Sequence, residues 1–242
     1  MGERTTLPAA LLRQGAAAPD LGERAFAWTT GREDGSFGLG SDEPVQYAIN
    51  RWSGLEERLA SVSVLRLASA HQVHGAVVAE HAGTWRGWLR MRGVDGHFTI
   101  TPGTALAVTV ADCAPVFISH PAGAVAALHA GWRGTAARIV DVGLDLFAQR
   151  GFAPAECSVH LGPAICGRCY EVGAEVLAAV HGRPAVANGV LDIRAELAQQ
   201  ASARGVRSVS TSRDCTKCDN DRFFSHRAGD SGRQLGLIVL RP

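Results

Sequence analysis

The stretch AVAALHAGWRGT, residues 124–135, decides how this chain can be interpreted. Its apolar run ends in His129 and a Gly-Trp-Arg-Gly turn follows, which predicts a buried strand, a tight turn and the start of a helix. The corner puts an imidazole beside a run of backbone N–H groups and an arginine. This arrangement suits a metal ligand next to an anion-binding turn, and it also occurs as an ordinary strand-turn-helix connection.

The length and the charge balance restrict the class of protein. A chain of 242 residues can bury a full hydrophobic core, and no linker-like stretch divides it. We therefore predict a single domain over residues 1–242, with residues 1–22 as a loose lead-in. The 24 Lys and Arg residues nearly cancel the 23 Asp and Glu residues. This balance argues against nucleic-acid binding, which requires a basic surface, and favours a small-molecule substrate.

Targeting signals and cysteine content indicate the compartment. The N-terminus lacks the basic, then apolar, then small-residue order of a signal peptide, and no run of about 18 apolar residues occurs. We therefore expect a cytoplasmic protein without a membrane partner. The six cysteines should stay reduced there, which favours metal binding or catalysis over disulfides. The sequence leaves the oligomeric state open.

Hydrophobic periodicity predicts the secondary structure. Besides the strand that ends at His129, we expect strands at 25–28, 62–67, 76–80, 105–110, 116–119, 158–161, 206–209 and 235–240. Helices are expected at 45–60, 136–150, 173–180 and 192–204, with Thr135 as the N-cap of the second helix. Residues 29–44 should be a polar surface loop, and 81–97 take no clear assignment. Because several strands follow one another without a helix, we predict an α/β fold of mixed β-sheets flanked by helices.

Three potential metal ligands each follow an apolar strand. His74, Cys113 and His129 stand where a strand gives way to a turn that contains Gly or Pro. A catalytic zinc takes three protein ligands of these types and keeps a fourth position open for water or substrate. The alternative is structural, because a histidine on an apolar strand is often a hydrogen-bonded core residue and a buried cysteine is often a small hydrophobe.

Residues beside these ligands add possible catalytic chemistry. Asp112 precedes Cys113 and is our candidate for proton transfer. The guanidinium group of Arg133 suits bidentate contact with a phosphate, unless it is a solvent-facing charge. The N–H groups of Gly134 and Thr135, at the start of the expected helix, favour the same anion. We therefore predict a phosphate site at this corner.

A second cysteine pattern competes as a metal site. Cys166 and Cys169 form one C-x-x-C pair, and Cys215 and Cys218 form another. The pairs are separated by 45 residues, whereas a zinc ribbon typically has about 15–20. A structural zinc on all four cysteines and simple burial of Cys169 and Cys215 both stay open.

Five motifs carry a family resemblance. They are HQVHG at 71–75, ADCAP at 111–115, HAGWRG at 129–134, GPAI…CYEV across 162–172 and CT…FFSHR…GRQ across 215–234. Together they resemble the YfiH-type family, also called laccase-domain or multicopper polyphenol oxidoreductase-like proteins. The resemblance implies an α/β domain of mixed sheets flanked by helices and a zinc ion bound by His74, Cys113 and His129.

The resemblance also implies an activity. It points to a purine nucleoside phosphorylase that splits adenosine, inosine and methylthioadenosine with phosphate and that deaminates adenosine. Copper-dependent oxidation of polyphenols and the editing of peptidoglycan precursors by an amidase are alternatives attached to the same family. Arg32 and Arg51 match family positions near the shortened loop 29–44, so we add them to Arg133, Gly134 and Thr135 as predicted phosphate or substrate contacts.

The expected cofactor is zinc, with copper as the alternative. A zinc ion lowers the pKa of a bound water from about 16 toward about 7, or polarises a substrate. Cys113, Asp112 and Arg133 are then the predicted catalytic residues. Two other classes stay open: a metal-independent hydrolase with Cys113 as nucleophile and His129 as base, and a zinc-stabilised binding protein without turnover.

Overall fold

Two six-stranded β-sheets form the centre of the computed structural model, which describes residues 16–18 and 21–242. The strands are β1 (Ala16–Ala17), β2 (Ala25–Thr29), β3 (Arg66–His71), β4 (Val78–Glu80), β5 (Gly87–Arg92), β6 (Gly96–Thr99), β7 (Thr104–Val110), β8 (Ala114–His120), β9 (Ala124–Ala130), β10 (Ser158–Leu161), β11 (Glu171–Val172), β12 (Gly189–Val190), β13 (Ser208–Thr211) and β14 (Gln234–Leu240). The helices are α1 (Val45–Ala60), α2 (Trp132–Ala136), α3 (Ile139–Gln149), α4 (Ala174–His181) and α5 (Ile193–Ala203).

Both large sheets mix parallel and antiparallel strands. The first has the order β1-β2-β14-β7-β3-β5, and β3 runs parallel to both of its neighbours while β14 runs antiparallel to its own. The second has the order β13-β10-β8-β9-β6-β4, with β10 parallel to β13 and antiparallel to β8. The prediction of an α/β fold with mixed sheets flanked by helices is confirmed.

The layers follow from the burial of β9 on both faces. Val125 and Ala127 pack with residues of the first sheet, whereas Ala126 and Leu128 pack with residues of α3 and α5. Helix α1 covers the outer face of the first sheet. The order is therefore helix, sheet, sheet, helices. Because side chains alternate along a strand, His129 lies on the side of β9 that faces the first sheet, at the end of the strand.

The predicted helix over 136–150 is wrong in its first turn. The chain forms the short helix α2, breaks at Arg138, which has a left-handed φ of 60°, and restarts as α3. Thr135 is not an N-cap: it is fully buried inside α2, and its hydroxyl donates to the carbonyl of Gly131 at 2.9 Å. The periodic apolar positions that suggested one helix belong to α3 alone.

The strand predicted over 62–67 is displaced. Helix α1 occupies the predicted 45–60, but the chain then turns through Ser63, at a φ of 64°, and β3 begins at Arg66. Val62 and Val64 gave the strand-like alternation because they pack against the core beneath α1. Residues 81–97, which had no assignment, contain β5 and the start of β6.

The ends of the remaining elements lie within a few residues of expectation. The N-terminal lead-in predicted over 1–22 lies largely outside the described residues, although β1 pairs with β2. Within the described part of the chain, no helix is long and apolar enough to cross a membrane.

Helix α5 offers a test of local stability. Its N-cap Asp192 accepts hydrogen bonds from the N–H groups of Arg194 and Ala195 at 3.1 and 3.2 Å. Asp192→Ala should lower the free energy of unfolding by about 1 kcal/mol, because these N–H groups lose their acceptor. Asp192→Asn should retain most of the free energy of unfolding, because asparagine caps a helix about as well as aspartate does. Urea unfolding measures both, and equal losses would contradict the capping role.

Candidate active site

A cavity of about 730 Å³ opens where strand ends of both sheets meet. Strand β3 ends at His71 and β9 ends at Ala130, while β7 and β8 are joined by residues 111–113. The turns that follow these strands line the cavity, together with the loop residues 38–41 and part of 226–233. The described structure therefore brings residues of all five sequence motifs together around one cavity.

His74, Cys113 and His129 converge at the base of this cavity. One potential ligand atom from each lies within 4.8 Å of the other two, and the two imidazole rings have centroids 4.8 Å apart at 74°. Gly131 is required for this approach, since a Cβ there would lie 2.8 Å from the Cys113 sulfur. His129 is buried and His74 is exposed, so the cluster is fixed on one side and open on the other.

Asp95, which sequence reasoning missed, holds the cluster together. Its fully buried carboxylate accepts hydrogen bonds from the backbone N–H groups of Val73, His74 and Gly75 at 3.2, 2.8 and 2.7 Å. It also lies 2.9 Å from Nδ1 of His129. An ionised carboxylate only accepts, so Nδ1 carries the proton and Nε2 is left free to bind a metal.

The same contacts explain the charge on Asp95. Burial raises the pKa of this carboxyl group, but the hydrogen bonds from His129 and from the backbone N–H groups outweigh burial and hold the pKa below its usual value. Asp95 therefore remains a carboxylate although solvent does not reach it. A buried carboxylate is tolerated when it is paired and hydrogen-bonded in this way.

Cys113 and His129 form an electrostatic pair. Burial raises the pKa of the Cys113 thiol, but the His129 charge and hydrogen bonds from both histidines outweigh burial and lower it to about 6. Burial lowers the pKa of His129, whereas the Cys113 charge and Asp95 raise it to about 9. The cluster thus favours a thiolate, which is the form of cysteine that binds metals and attacks electrophiles.

Two residues of the site adopt a left-handed backbone. His74 has a φ of 61° and Asp112 a φ of 78°, a conformation that costs a non-glycine residue about 1–3 kcal/mol. Each is held in place by its surroundings: Asp95 binds the turn of His74, and the Asp112 carboxylate accepts from the Thr216 hydroxyl and the Arg227 N–H. Such strain typically persists at functional sites.

Asp112 therefore has a positioning task that rests on tertiary contacts, which the amino-acid sequence does not show. It lines the cavity, and its two carboxylate oxygens tie the turn before Cys113 to residues 216 and 227. These contacts fix one wall of the cavity relative to His74, Cys113 and His129. The role of Asp112 in proton transfer stays a prediction.

The residues predicted to bind phosphate do not all lie together. Arg133 lines the cavity, and its exposed guanidinium group sits 4.4 Å from the ring centroid of Trp132. Gly134 and Thr135 are buried outside the lining, and the Thr135 N–H is already bonded to the Gly131 carbonyl. We therefore remove Gly134 and Thr135 from the proposed phosphate contacts.

Arg32 and Arg51 also lie outside the lining of the cavity. The guanidinium group of Arg32 pairs with Asp230 at 2.7 Å, and that of Arg51 pairs with Glu43 and the Ser36 carbonyl. Both are removed from the phosphate site for this reason. They instead anchor the loop 29–44, of which residues 38–41 line the cavity.

The cavity is markedly basic, which the near-neutral composition did not predict. Asp112 is the one carboxylate in the described lining, against four arginines: Arg90, Arg133, Arg227 and Arg233. Such a cleft attracts anions. Two aromatic residues, Trp132 and Tyr170, complete the wall beside Ile165 and Ile193. Sequence spacing held no signal for this convergence, because these residues come from separate strands, helices and loops.

Comparison with known proteins agrees with this geometry. The family model described as "Multi-copper polyphenol oxidoreductase laccase" matches residues 37–241. A Streptomyces griseus protein named purine nucleoside phosphorylase ORF3 is 34% identical and is aligned over 95% of this chain and 100% of its own length. The purine nucleoside phosphorylase YfiH of Shigella flexneri is 36% identical over 70% of this chain and 72% of its own.

Solved structures show the same fold. The crystal structure of YlmD from Geobacillus stearothermophilus superposes with a TM-score of 0.82 at 31% identity, covering 90% of this chain and 93% of that one. The fold and the site define a class of α/β proteins in which two mixed sheets carry an open His-Cys-His cluster, able to hold a metal ion, in a basic cleft. The chain belongs to the YfiH-type, or laccase-domain, family.

The Asp95 contacts generate a test of metal binding. Asp95→Asn should weaken zinc binding by about 10- to 100-fold, because the amide cannot replace a carboxylate that orients a ligating histidine and its neighbouring turn. Competition with a chromophoric chelator measures the affinity, and circular dichroism verifies folding. Asp34→Asn is the control, since Asp34 binds the N–H of Gly31 in a turn outside the cavity lining. Unchanged affinity in a folded Asp95→Asn protein would exclude the role of Asp95.

Proposed function

We propose that this protein is a zinc-dependent purine nucleoside phosphorylase that also deaminates adenosine. The observation that carries the proposal is the placement of His74, Cys113 and His129 at the base of a basic cavity. The curated relatives named above support the purine nucleoside class. The cavity of about 730 Å³ has room for a purine nucleoside together with a phosphate ion.

The residues present fit a zinc ion. Two imidazoles and one thiolate are zinc ligands, and three protein ligands with an open fourth position are typical of catalytic zinc. The Asp95 carboxylate on His129 is the kind of outer partner that ligating histidines have. A zinc ion bound here supplies Lewis acidity that activates water or polarises a substrate. Copper remains the alternative ion at the same ligands.

The arginines of the cavity suit the phosphate substrate. Arg133 lies in α2, four residues after His129, and its guanidinium group lies 4.4 Å from the ring centroid of Trp132. In phosphorolysis a phosphate oxygen bonds to C1′ of the ribose while the bond from C1′ to the purine nitrogen breaks. The electron pair leaves with the purine, which takes up a proton. Arg133 would hold the phosphate for this attack, and Asp112 is the predicted proton-transfer residue.

The remaining wall suits the nucleoside. Trp132 and Tyr170 offer aromatic faces, and Ile165 and Ile193 offer apolar surface beside them. Purine bases stack on such faces, whereas the ribose hydroxyl groups require polar partners. Residues 38–41, which also line the cavity, supply backbone groups and the Ser41 hydroxyl. The lining therefore offers groups suited to a base, a sugar and an anion.

A cysteine hydrolase is the second candidate function. The lowered pKa of Cys113 and the raised pKa of His129 describe a thiolate beside an imidazolium, as in enzymes with a cysteine nucleophile. This class needs no metal. The two proposals make opposite predictions about chelation.

The phosphate site is tested at Arg133. Arg133→Ala should raise the KM for phosphate by about 10- to 100-fold, because a hydrogen bond to a charged group contributes about 1.5–3 kcal/mol. Steady-state phosphorolysis of inosine at varied phosphate measures it. Arg138→Ala is the control, since Arg138 pairs with Asp141 outside the cavity lining. An unchanged phosphate KM would remove Arg133 from the site.

The reaction itself is tested with adenosine. With phosphate the products should be adenine and ribose 1-phosphate, and inosine should form with or without phosphate. Exhaustive chelation should abolish both reactions and added zinc should restore them. Activity that survives chelation but is lost on alkylation of Cys113 would favour the hydrolase instead. Binding of adenosine without any product would favour a binding protein.

A further inference from the structure

A second cluster of cysteines lies outside the site described above. Strands β10 and β13 are parallel neighbours, and Leu161 at the end of β10 pairs with Thr211 at the end of β13. The chain therefore leaves the second sheet twice at the same edge. A parallel bridge between Ala164 and Cys215 continues the pairing beyond the strands. The 45 residues between the two C-x-x-C pairs contain β11, α4, β12, α5 and β13, and the pairing of β13 with β10 returns the chain to the first pair.

The four sulfurs of these pairs form one group. Their Sγ atoms all lie within 4.8 Å of one another, and those of Cys169 and Cys218 are 3.4 Å apart. Tetrahedral zinc with bonds to sulfur of about 2.3 Å needs sulfurs about 3.8 Å apart. All four cysteines are free thiols, and one is buried, two are half-buried and one is exposed. Small side-chain movements suffice to place them around one ion.

Backbone N–H groups from both pairs converge on Cys215. The Cys215 sulfur accepts from the N–H groups of Cys218 at 3.4 Å and Cys166 at 3.3 Å. Both C-x-x-C turns thus contribute a backbone donor to the same sulfur atom. Donors in these positions stabilise negative charge on sulfur, as metal-bound thiolates require.

We propose that these turns bind a second, structural zinc ion through four thiolates: Cys166, Cys169, Cys215 and Cys218. A tetrahedral set of four sulfurs is the ligand type that selects zinc in closed structural sites. Four thiolates at these separations repel one another unless a cation lies between them. Arg168 and Lys217, within the two turns, add positive charge that offsets the net charge of −2 on a zinc ion with four thiolates.

The proposed zinc would hold the wall of the cavity. The turn of the first pair lies between Ile165 and Tyr170, and that of the second pair leads to His226 and Arg227, all of which line the cavity. The described contacts between these two segments near the cysteines include the Thr216 N–H to the Ala164 carbonyl at 3.3 Å. A zinc ion bound by all four cysteines would crosslink the two loops, which are otherwise held in position by such contacts and by Asp112.

Metal content of single variants tests this site. Wild-type protein produced with zinc should contain two zinc ions per chain. Cys218→Ser and His74→Ala should each contain one, and the double variant none. Cys157→Ser is the control and should keep two, because Cys157 is buried next to the Ala153 carbonyl and belongs to neither cluster. Mass spectrometry of the native protein counts the ions.

X-ray absorption at the zinc edge identifies the ligands even if Cys218→Ser fails to fold. Zinc in His74→Ala should show four sulfur neighbours at about 2.3 Å. Chelation of this variant should raise hydrogen exchange in residues 162–172 and 214–233. The proposal is overturned if His74→Ala binds no zinc, if iron occupies the cluster, or if intact mass shows a disulfide between Cys169 and Cys218 in protein purified without air. None of these results depends on phosphorolysis.

Discussion

The site depends on the hydrogen bonds that the buried carboxylate of Asp95 accepts. It accepts hydrogen bonds from three successive backbone N–H groups of the turn that carries His74. It also orients the ring of His129 on the neighbouring strand β9. An unpaired carboxylate at this depth would be very unfavourable, so the turn and the strand must approach each other for the fold to tolerate it. The same bonds offset the strained backbone of His74. One charge thus couples the second sheet to the turn that follows β3 of the first.

Much of the site could be predicted from sequence because its ligands stand where apolar strands end. His74 comes after β3, Cys113 comes after β7 and His129 lies near the end of β9. Hydrophobic periodicity indicates apolar strands, and strand ends gather at sheet edges. Asp95 could not be found in this way. It lies in the stretch 81–97, where β5 is an edge strand of polar and apolar residues without clear alternation, and its partners are backbone N–H groups that leave no pattern in sequence. Tertiary contacts alone reveal it.

The errors in secondary structure have the same origin. Val62 and Val64 alternate as in a strand, but they pack beneath α1 as core residues of a turn. Arg138 breaks the expected helix at a left-handed φ of 60°, and Gly134 in α2 packs so closely against the turn of His74 that a Cβ there would lie 3.0 Å from the carbonyl oxygen of Gly75. The spacing between the two C-x-x-C pairs is longer than in a compact zinc ribbon. Parallel pairing of β10 with β13 nevertheless brings the two pairs together, and no local sequence pattern indicates this pairing. In each case a distant contact overrides a local pattern.

Charge shows how composition and site can differ. The chain carries a formal net charge of +1, yet four arginines face one cavity with a single described carboxylate. Two further arginines, Arg32 and Arg51, resemble substrate ligands in sequence but neutralise Asp230 and Glu43. These pairs tie the loop 29–44 to Asp230 and to helix α1, and its segment 38–41 lines the cavity together with Arg90, Arg133, Arg227 and Arg233. Arg32 and Arg51 therefore hold the loop through ion pairs, whereas the arginines that line the cavity attract an anion.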